Sequence, residues 1–287
     1  MTTRTIVRSL SCRVHPVASA AIRLLTAETV ATLPERFSEN VDGPPDVVMV
    51  DGSSPSWPSA AIEAAGAGAL GVLVVRPVSV KSADAERVRA AAGETGTLVA
   101  MDRRWSSDPL VAALSAHPSE PPTLVHCTVQ VSTQNLDDLL LDQIGLVHRL
   151  VRIVPRVDGE LQATTHGFNV GLRLGDGVAF IAGTFDERAS GALQLTAYTA
   201  DGERHVTVDD RTILNSYAHV VTPAGQLTLP PAYQNGHRAT WIRVHDAIRD
   251  ARNAFSDLDA FIDELNLVTQ LTSTAPKHYL TSKEIQQ

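Results

Sequence analysis

Three side chains near the ends of predicted strands could take part in chemistry. Arg76 directly follows the apolar run Gly71–Val75 and can bind a carboxylate or a phosphate through two parallel hydrogen bonds. Cys12 and His15 precede a predicted helix, where a histidine can activate a thiolate. Two plainer interpretations stay open: Arg76 pairs with an acid in a domain interface, and Cys12 is a small residue that fills space.

A row of polar side chains alternates along one predicted strand. His126, Thr128, Gln130 and Ser132 share one face, because successive side chains of a strand point to opposite sides. Such a row can line a substrate pocket, which makes His126 and Gln130 the candidate substrate-binding residues. An oligomer interface or a solvated sheet face explains the same pattern.

Composition excludes several classes of protein. The formal net charge of the 287 residues is −8, and no basic stripe is present, which argues against nucleic acid as a partner. The only two cysteines, Cys12 and Cys127, predict neither a disulfide framework nor a metal site. The sequence contains neither a signal peptide nor an apolar stretch of about 18 residues. We therefore expect a cytoplasmic protein with no membrane partner.

The first part of the chain alternates short apolar strands with helices, which is typical of a parallel sheet covered by helices. Residues 1–120 are predicted to form this domain. Its predicted strands are 5–7, 46–50, 71–75 and 97–101, and its predicted helices are 18–25, 57–65 and 82–93.

From residue 121 the pattern changes to longer strands joined by turns. The turns at 175–177 and 200–202 indicate hairpins and hence a mostly antiparallel sheet. Residues 121–272 are predicted to form this second domain, and 273–287 a polar tail. Its predicted strands are 123–132, 161–174, 178–185 and 191–199, with a helix at 136–154.

Two amphipathic helices are predicted to close the second domain. The apolar face of the first contains His245, which we interpret as a core histidine, and the second begins after a capping residue, Ser256. The apolar stripes consist of Trp241, Val244, His245 and Ile248 in the first helix, and of Leu258, Phe261, Ile262, Leu265 and Val268 in the second.

This order of elements resembles the glucose-fructose oxidoreductase and inositol dehydrogenase family (Gfo/Idh/MocA). Residues 46–50 and 71–77 are similar to the family's stretch from its third strand to its Glu-Lys-Pro motif. Residues 142–152 lie where the family helix reads Asp-x-Gly-x-His-x-x-Asp-Leu-Leu-Arg, and 177–180 also have a counterpart. The resemblance implies an α/β plus α+β fold: a degenerate Rossmann-like domain, then a large open, mostly antiparallel sheet covered by helices. It also implies a homo-oligomer formed through that sheet.

The dinucleotide-binding motif of the family is missing. Its glycines allow a tight turn and a close approach to the pyrophosphate, but Ser9, Ser11 and Val14 occupy the expected places. If any cofactor contacts remain, the candidates are Ser9, Ser11 and Cys12. Residues 26–45 are too few for a complete second strand and helix, and Glu35 is the nearby acid for a ribose.

The catalytic residues of the family are also changed. The lysine of Glu-Lys-Pro, thought to protonate or polarise the substrate oxygen, is replaced by Arg76, a poor proton donor. Aligning Asp142 with the family helix puts Leu146 at the catalytic histidine, and His148 lies about 200° further around the helix. Arg76, Asp142 and His148 are the catalytic candidates. Asp142 can act as a base or orient His148, or it can be a solvated carboxylate.

A second resemblance concerns residues 129–131 and 138–145, which are similar to the thiazolinyl imine reductase branch of the same superfamily. That branch acts on carrier-bound siderophore intermediates and does not use the lysine and histidine in the usual way. Its members nevertheless bind NADPH through a glycine loop.

Taken together, the substitutions predict an inherited oxidoreductase fold with replaced chemistry. The expected function is non-redox catalysis on a small-molecule intermediate by a cyclase, lyase, isomerase or dehydratase, in bacterial specialised metabolism, without a cofactor. One alternative is an NAD(P)H-dependent imine or carbonyl reductase with an atypical phosphate loop. The other is a non-catalytic, oligomerising subunit.

Overall fold

A computed structural model describes residues 9–39, 44–132, 135–189, 191–209, 215–250 and 257–274. The chain forms two compact units. The first contains residues 1–103 and 237–262, and the second contains 104–236 and 263–287. The units therefore do not follow the linear division at residue 120, because a helix late in the sequence returns to the first unit.

The helices and strands follow one another along the chain as listed here: β1 Leu10–Val14, α1 Ala20–Ala31, β2 Phe37–Glu39, β3 Val47–Asp51, α2 Trp57–Gly66, β4 Gly71–Val75, α3 Ser82–Thr95, β5 Leu98–Asp102, α4 Pro109–Ala116, β6 Leu124–Val131, α5 Leu136–Val151, β7 Arg156–Val157, β8 Gln162–Thr164, β9 Gly167–Leu174, β10 Gly177–Phe185, β11 Leu193–Thr199, β12 Gly202–Val208, β13 Tyr217–Thr222, β14 Gly225–Thr228, α6 Gly236–Arg249 and α7 Asp257–Thr274. No helix in the described ranges is long and apolar enough to span a bilayer.

The first unit contains a five-stranded parallel sheet of order β2-β1-β3-β4-β5. Its strands are apolar because both faces are covered, and Met49 and Leu73 are fully buried. Trp241 and Val244 of α6 are buried, as the apolar stripe predicted, but they belong to this core and not to that of the second domain. The strand order reverses at β1, so the crevice beyond the carboxyl ends of β1 and β3 is the place where this class of sheet binds ligands.

The position of the first strand corrects the sequence prediction. The predicted strand 5–7 lies outside the described residues, and residues 10–14, expected to form the phosphate loop, are strand β1. Polar residues fit this strand because Ser11 donates from its backbone N–H and its hydroxyl to Asp46, at 2.7 and 2.8 Å, while Cys12 lies in the core. The turn that leads into α1 is therefore residues 15–19, which also contain no glycine.

The segment between β1 and β3 is short. Helix α1 begins after its capping residue Ser19, whose hydroxyl accepts the Ile22 N–H at 3.4 Å, and it continues to Ala31, beyond the predicted end at residue 25. Strand β2 has only three residues. Between β2 and β3 the described residues contain no helix, and only residues 40–43 lie outside them. The prediction that this segment is abbreviated is therefore supported.

The second unit contains a nine-stranded sheet of order β14-β13-β12-β11-β6-β10-β9-β7, with β8 paired to β9. Only β6 and β10 are parallel, so the sheet is mostly antiparallel, as expected. Both predicted hairpins form: β9 with β10 and β11 with β12. At the second turn only glycine fits, because a Cβ atom on Gly202 would lie 1.9 Å from the Val221 carbonyl oxygen. The predicted strand 161–174 is instead a further hairpin of β8 and β9.

Helices cover one face of this sheet. Along β6, Val125, Cys127 and Val129 are buried and α5 packs against the strand, whereas the alternate side chains point to the open face. Helix α5 ends three residues earlier than predicted, at Val151. The predicted stripe of α7 is buried, while its expected capping residue Ser256 and residues 275–287 lie outside the described part of the chain.

Candidate functional site

The turn between β1 and α1 is held by an arginine of the protein itself. The Arg23 guanidinium donates to the carbonyl oxygens of His15, at 3.3 Å, and Ala18, at 3.0 Å, and it also donates to the Pro16 carbonyl. In a phosphate-binding turn, backbone N–H groups face the ligand. Here the carbonyls of the turn bind a cation instead.

The N-terminus of α1 binds a carboxylate from within the chain. Asp51, the last residue of β3, accepts the Ser19 N–H at 2.9 Å on Oδ2, and it accepts both donors of Ser53 on Oδ1, at 3.0 and 2.6 Å. Burial raises the pKa of Asp51, but the hydrogen bonds from Ser53 and Ser19 outweigh it, so the net effect is a lowered pKa. A negative charge at the end of β3 therefore lies at the N-terminus of α1.

These residues do not fit the pyrophosphate of a dinucleotide. Such a group needs free amides at a helix N-terminus and a backbone without intervening Cβ atoms. The side chains of His15 and Val17 stand in the turn instead, and Asp51 repels a phosphate there. Glu35, expected near a ribose, precedes β2 and so lies at its amino end, away from the carboxyl edge.

The residues predicted as candidate cofactor contacts do not lie in the turn between β1 and α1. Ser9 and Ser11 lie before and within β1, toward its amino end, and the hydroxyl of Ser11 bonds to Asp46. Cys12 is buried in the hydrophobic core, in agreement with the space-filling interpretation. His15 is buried at the carboxyl end of β1. Its ring nitrogens have no hydrogen-bond partner among the described residues, although Nε2 lies 3.4 Å from Glu63.

Arg76 occupies a strained position at the carboxyl edge of the parallel sheet. Its φ is 53°, which is unusual for a residue other than glycine, and its N–H donates to the Asp102 carbonyl at 2.8 Å. The turn that follows β3 packs closely against this segment, since a Cβ atom on Gly52 would lie 2.6 Å from the Val75 carbonyl oxygen. The Arg76 side chain is exposed and forms no ion pair within the described ranges. The geometry therefore leaves its guanidinium available.

A buried carboxylate–histidine pair lies at the end of β5. Asp102 accepts a hydrogen bond from His237 Nδ1, and its other oxygen accepts the Thr240 hydroxyl at 3.4 Å. The Trp241 indole N–H donates to His237 Nε2 at 3.1 Å. His237 must therefore be neutral, with its proton on Nδ1. Both imidazole nitrogens are in use, which makes this pair structural.

A second carboxylate–histidine pair connects α5 and α7. His148 Nδ1 lies 2.9 Å from Glu264 Oε1, and an ionised carboxylate can only accept, so Nδ1 carries the proton. The His148 side chain is 17% exposed and that of Glu264 is 3% exposed. Nε2 of His148 has no hydrogen-bond partner among the described residues. This is the arrangement of a base that is oriented by a carboxylate.

The other predicted residues of α5 take different positions. Leu146, at the family's histidine position, is fully buried. Asp142 lies six residues before His148, about 240° around the helix, so the two do not share a face. The role of orienting His148, which we expected for Asp142, belongs to Glu264. Arg76 is part of the first compact unit, whereas Asp142 and His148 are part of the second.

The polar row of β6 lies on the open face of the antiparallel sheet. His126 and Gln130 are exposed, and His126 stands opposite Phe180 on one side and Thr196 on the other. The row continues into a histidine pair that the sequence analysis missed: His205 stacks on His219 with ring centroids 4.9 Å apart. Burial, and then the charge of His219, lower the pKa of His205, and Glu203 opposes this effect.

Sequence patterns contained a signal for some of the missed residues. Glu264 interrupts the apolar stripe of α7 between Phe261 and Val268, and a carboxylate in such a stripe needs a partner. His237 and Asp102 gave no comparable signal. Among the described residues, no group of three or more histidine, cysteine, aspartate or glutamate side chains can hold a metal ion.

The structure was compared with known proteins. UDP-N-acetylglucosamine 3-dehydrogenase GnnA from Acidithiobacillus ferrooxidans is similar over 94% of this chain and 98% of its own, with a TM-score of 0.74 and 16% identity. An oxidoreductase from Sinorhizobium meliloti is similar over the same shares, with a TM-score of 0.75 and 12% identity. The chain has the Gfo/Idh/MocA oxidoreductase fold.

An aldose-aldose oxidoreductase also has this fold. Aldose-aldose oxidoreductase from Caulobacter crescentus, in complex with glycerol, covers 93% of this chain and 98% of its own, with a TM-score of 0.66 and 14% identity. No protein-family model matches the sequence, and no curated protein sequence is measurably similar to it. At these identities the likeness concerns the fold.

Proposed function

We propose that this protein is a cytoplasmic enzyme that uses the Gfo/Idh/MocA fold for proton-transfer chemistry on a small-molecule intermediate, as a cyclase, lyase, isomerase or dehydratase. The observation that carries the proposal is the Asp51 carboxylate on the Ser19 N–H. It takes the place where a nicotinamide dinucleotide of this fold binds its pyrophosphate. Catalysis without hydride transfer is compatible with that arrangement.

His148 is the proton acceptor in this proposal. The Glu264 carboxylate accepts the proton on Nδ1, which leaves the lone pair on Nε2 for a substrate proton. Glu264 then stabilises the imidazolium that forms, because the two groups attract each other in a largely buried setting. His148 subsequently returns the proton to the product or to a leaving group. All four reaction classes need such a step.

Arg76 supplies a positive charge at the carboxyl edge of the parallel sheet. Strained backbone positions concentrate at functional sites, and the guanidinium of Arg76 is exposed and without an ion pair among the described residues. Such a group can bind a carboxylate or a phosphate through two parallel hydrogen bonds. Asp142 remains a candidate catalytic residue, and His126 and Gln130 remain candidate substrate-binding residues.

A matched pair of variants tests this proposal. The chromosomal gene is replaced by one that encodes His148→Gln or His166→Gln, and the metabolites of the producing cells are compared. His166 is an exposed residue in a turn of the second unit, so its substitution serves as the control. We expect the product to fall at least about 100-fold with His148→Gln and to be unchanged with His166→Gln. Unchanged product in both strains would contradict the role of His148.

An NAD(P)H-dependent reductase is the second candidate, and one observation favours it. In the sequence, Glu39 follows the turn at residues 15–19 by about 20 residues, the spacing at which dinucleotide-binding domains place an acidic residue for the ribose. Reduction of an imine or carbonyl group would require the pyrophosphate to displace Asp51 from the N-terminus of α1. Titration with reduced cofactor separates this candidate from the first.

Self-association through the open sheet is the third element of the proposal, and it also suits a non-catalytic subunit. Phe180, Tyr198 and Tyr217 share the open face with His126 and are substantially exposed. A second copy of the chain would cover these aromatic rings. Light scattering after size exclusion tests this: Phe180→Asp should yield the monomer mass if the wild type is an oligomer. A monomeric wild type would contradict it.

A further inference from the structure

Arg204 is a buried cation that has no acidic partner among the described residues. It lies on the helix-covered face of β12, against which α4 packs, and only 4% of its surface is exposed. Its Nε is enclosed and has no hydrogen-bond partner. Arg204 makes no ion pair with any residue in the described ranges. A guanidinium in such a place requires compensation by a negatively charged group.

The charge of another arginine makes the imbalance larger. Burial and then the positive charge of Arg152 lower the pKa of Arg204, and no carboxylate opposes them. Arg152 follows α5 with a φ of 57°, a strained value for arginine. Its Nε donates to the Ser115 hydroxyl at 3.4 Å, and that hydroxyl donates to the Arg149 carbonyl at 2.8 Å. The Arg152 side chain is thus positioned beside the ends of α4 and α5.

We infer that Arg204 and Arg152, with Ser115, form a binding site for a small tetrahedral oxyanion such as a phosphate group. Two guanidinium groups match a doubly charged anion, and their planar donors bind its oxygens in pairs. Arg152 is exposed and provides the entrance, while Arg204 provides the enclosed donors. The alternative source of compensation is the partial negative charge of the carbonyls at the carboxyl ends of α4 and α5.

Binding of inorganic phosphate distinguishes these two forms of compensation. The full chain is titrated with phosphate at constant ionic strength by calorimetry, and its Tm is recorded in parallel. We compare the wild type with Arg204→Met and with Arg188→Met, which removes an exposed arginine of the same unit. We expect saturable binding to the wild type and to Arg188→Met, and about tenfold or more weaker binding to Arg204→Met. In chloride alone, Arg204→Met should melt at a higher temperature than the wild type, because an uncompensated buried charge is removed.

Two further measurements keep the inference open to refutation. Arg204→Lys retains the charge but loses the paired donors, so it should fold and bind phosphate more weakly than the wild type even if Arg204→Met does not fold. Acetate should bind more weakly than phosphate, and equal binding of both would identify a carboxylate site instead of a tetrahedral one. Absence of saturable binding, or an equal Tm rise in all variants, would overturn the site, since phosphate also raises Tm non-specifically.

Discussion

The Asp102–His237 and Glu264–His148 pairs are both largely buried, and they differ in one atom. In Asp102–His237 both imidazole nitrogens are hydrogen-bonded, because the Trp241 indole takes Nε2. In Glu264–His148 the carboxylate takes Nδ1, and Nε2 has no partner among the described residues. The first histidine has no site at which to accept a proton, whereas the second has one. The difference assigns a structural role to one pair and makes the other available for chemistry.

The largest expected effect on stability comes from a substitution that breaks the structural pair. Asp102→Ala leaves the Nδ1–H of His237 and the hydroxyl of Thr240 without their acceptor in a buried place. We expect the free energy of unfolding to fall by about 3–5 kcal/mol, measured by urea denaturation. Asp84→Ala, which removes a carboxylate from an exposed pair with Arg87, is the control and should cost less than about 1 kcal/mol. Equal losses in the two variants would contradict the structural role.

A smaller change removes only the third member of that network. Trp241→Phe deletes the N–H that donates to His237 Nε2 but keeps an aromatic ring near Phe37. We expect a loss of about 1–2 kcal/mol in the free energy of unfolding, because a buried acceptor is left unpaired. If the stability is unchanged within experimental error, Nε2 of His237 has another donor, and the contrast with His148 disappears.

The second pair should contribute less to stability. His148→Gln retains an N–H that can reach Glu264, and the position is partly exposed to water. We expect a loss of about 1 kcal/mol or less in the free energy of unfolding, in spite of the loss of product predicted for the same variant. A loss as large as that of Asp102→Ala would show that this pair, too, is structural.

Asp51 is a third carboxylate to compare: both of its oxygens accept hydrogen bonds, but from serines and not from a histidine. Its pKa is lowered in the fold, so its stabilising effect is present above the unfolded value of about 4 and is lost as the pH falls through the folded value. At pH 7, Asp51→Asn should be less stable than the wild type by about 0.3–1 kcal/mol, since Asp51 lies at the N-terminus of α1. Urea denaturation at successively lower pH should show the two stabilities converge at the acid end, where the carboxyl group is protonated. A difference that persists there would refute the electrostatic origin.

Local sequence patterns predicted the parts of the fold that depend on neighbouring residues. The turns 175–177 and 200–202 specified two hairpins, and the stripe of α6 specified its buried face. Strand β1 was misplaced because Ser11 and Cys12 do not look like a strand until Asp46, which is 35 residues away from Ser11, accepts the hydrogen bonds. The histidine partners were unpredictable for the same reason.

Sequence separation explains why the candidate site was only half predicted. His148 was identified from its helix, but Glu264 lies 116 residues further along the chain. Asp102 and His237 are separated by 135 residues. The glycines were sought at residues 9–14, but the turn lies at residues 15–19, which contain no glycine either. No sequence pattern indicates the contact of Asp51 with the α1 N-terminus, because Asp51 and Ser19 are 32 residues apart.

Titration of the purified wild-type protein with NADH and with NADPH, followed by calorimetry, tests the replacement of redox chemistry most directly. Because the Asp51 carboxylate occupies the N-terminus of α1, we expect no saturable heat with either nucleotide at concentrations up to about 1 mM. Binding of either one with a Kd tighter than about 100 μM, or roughly 5.5 kcal/mol, would contradict the proposed function and favour the reductase.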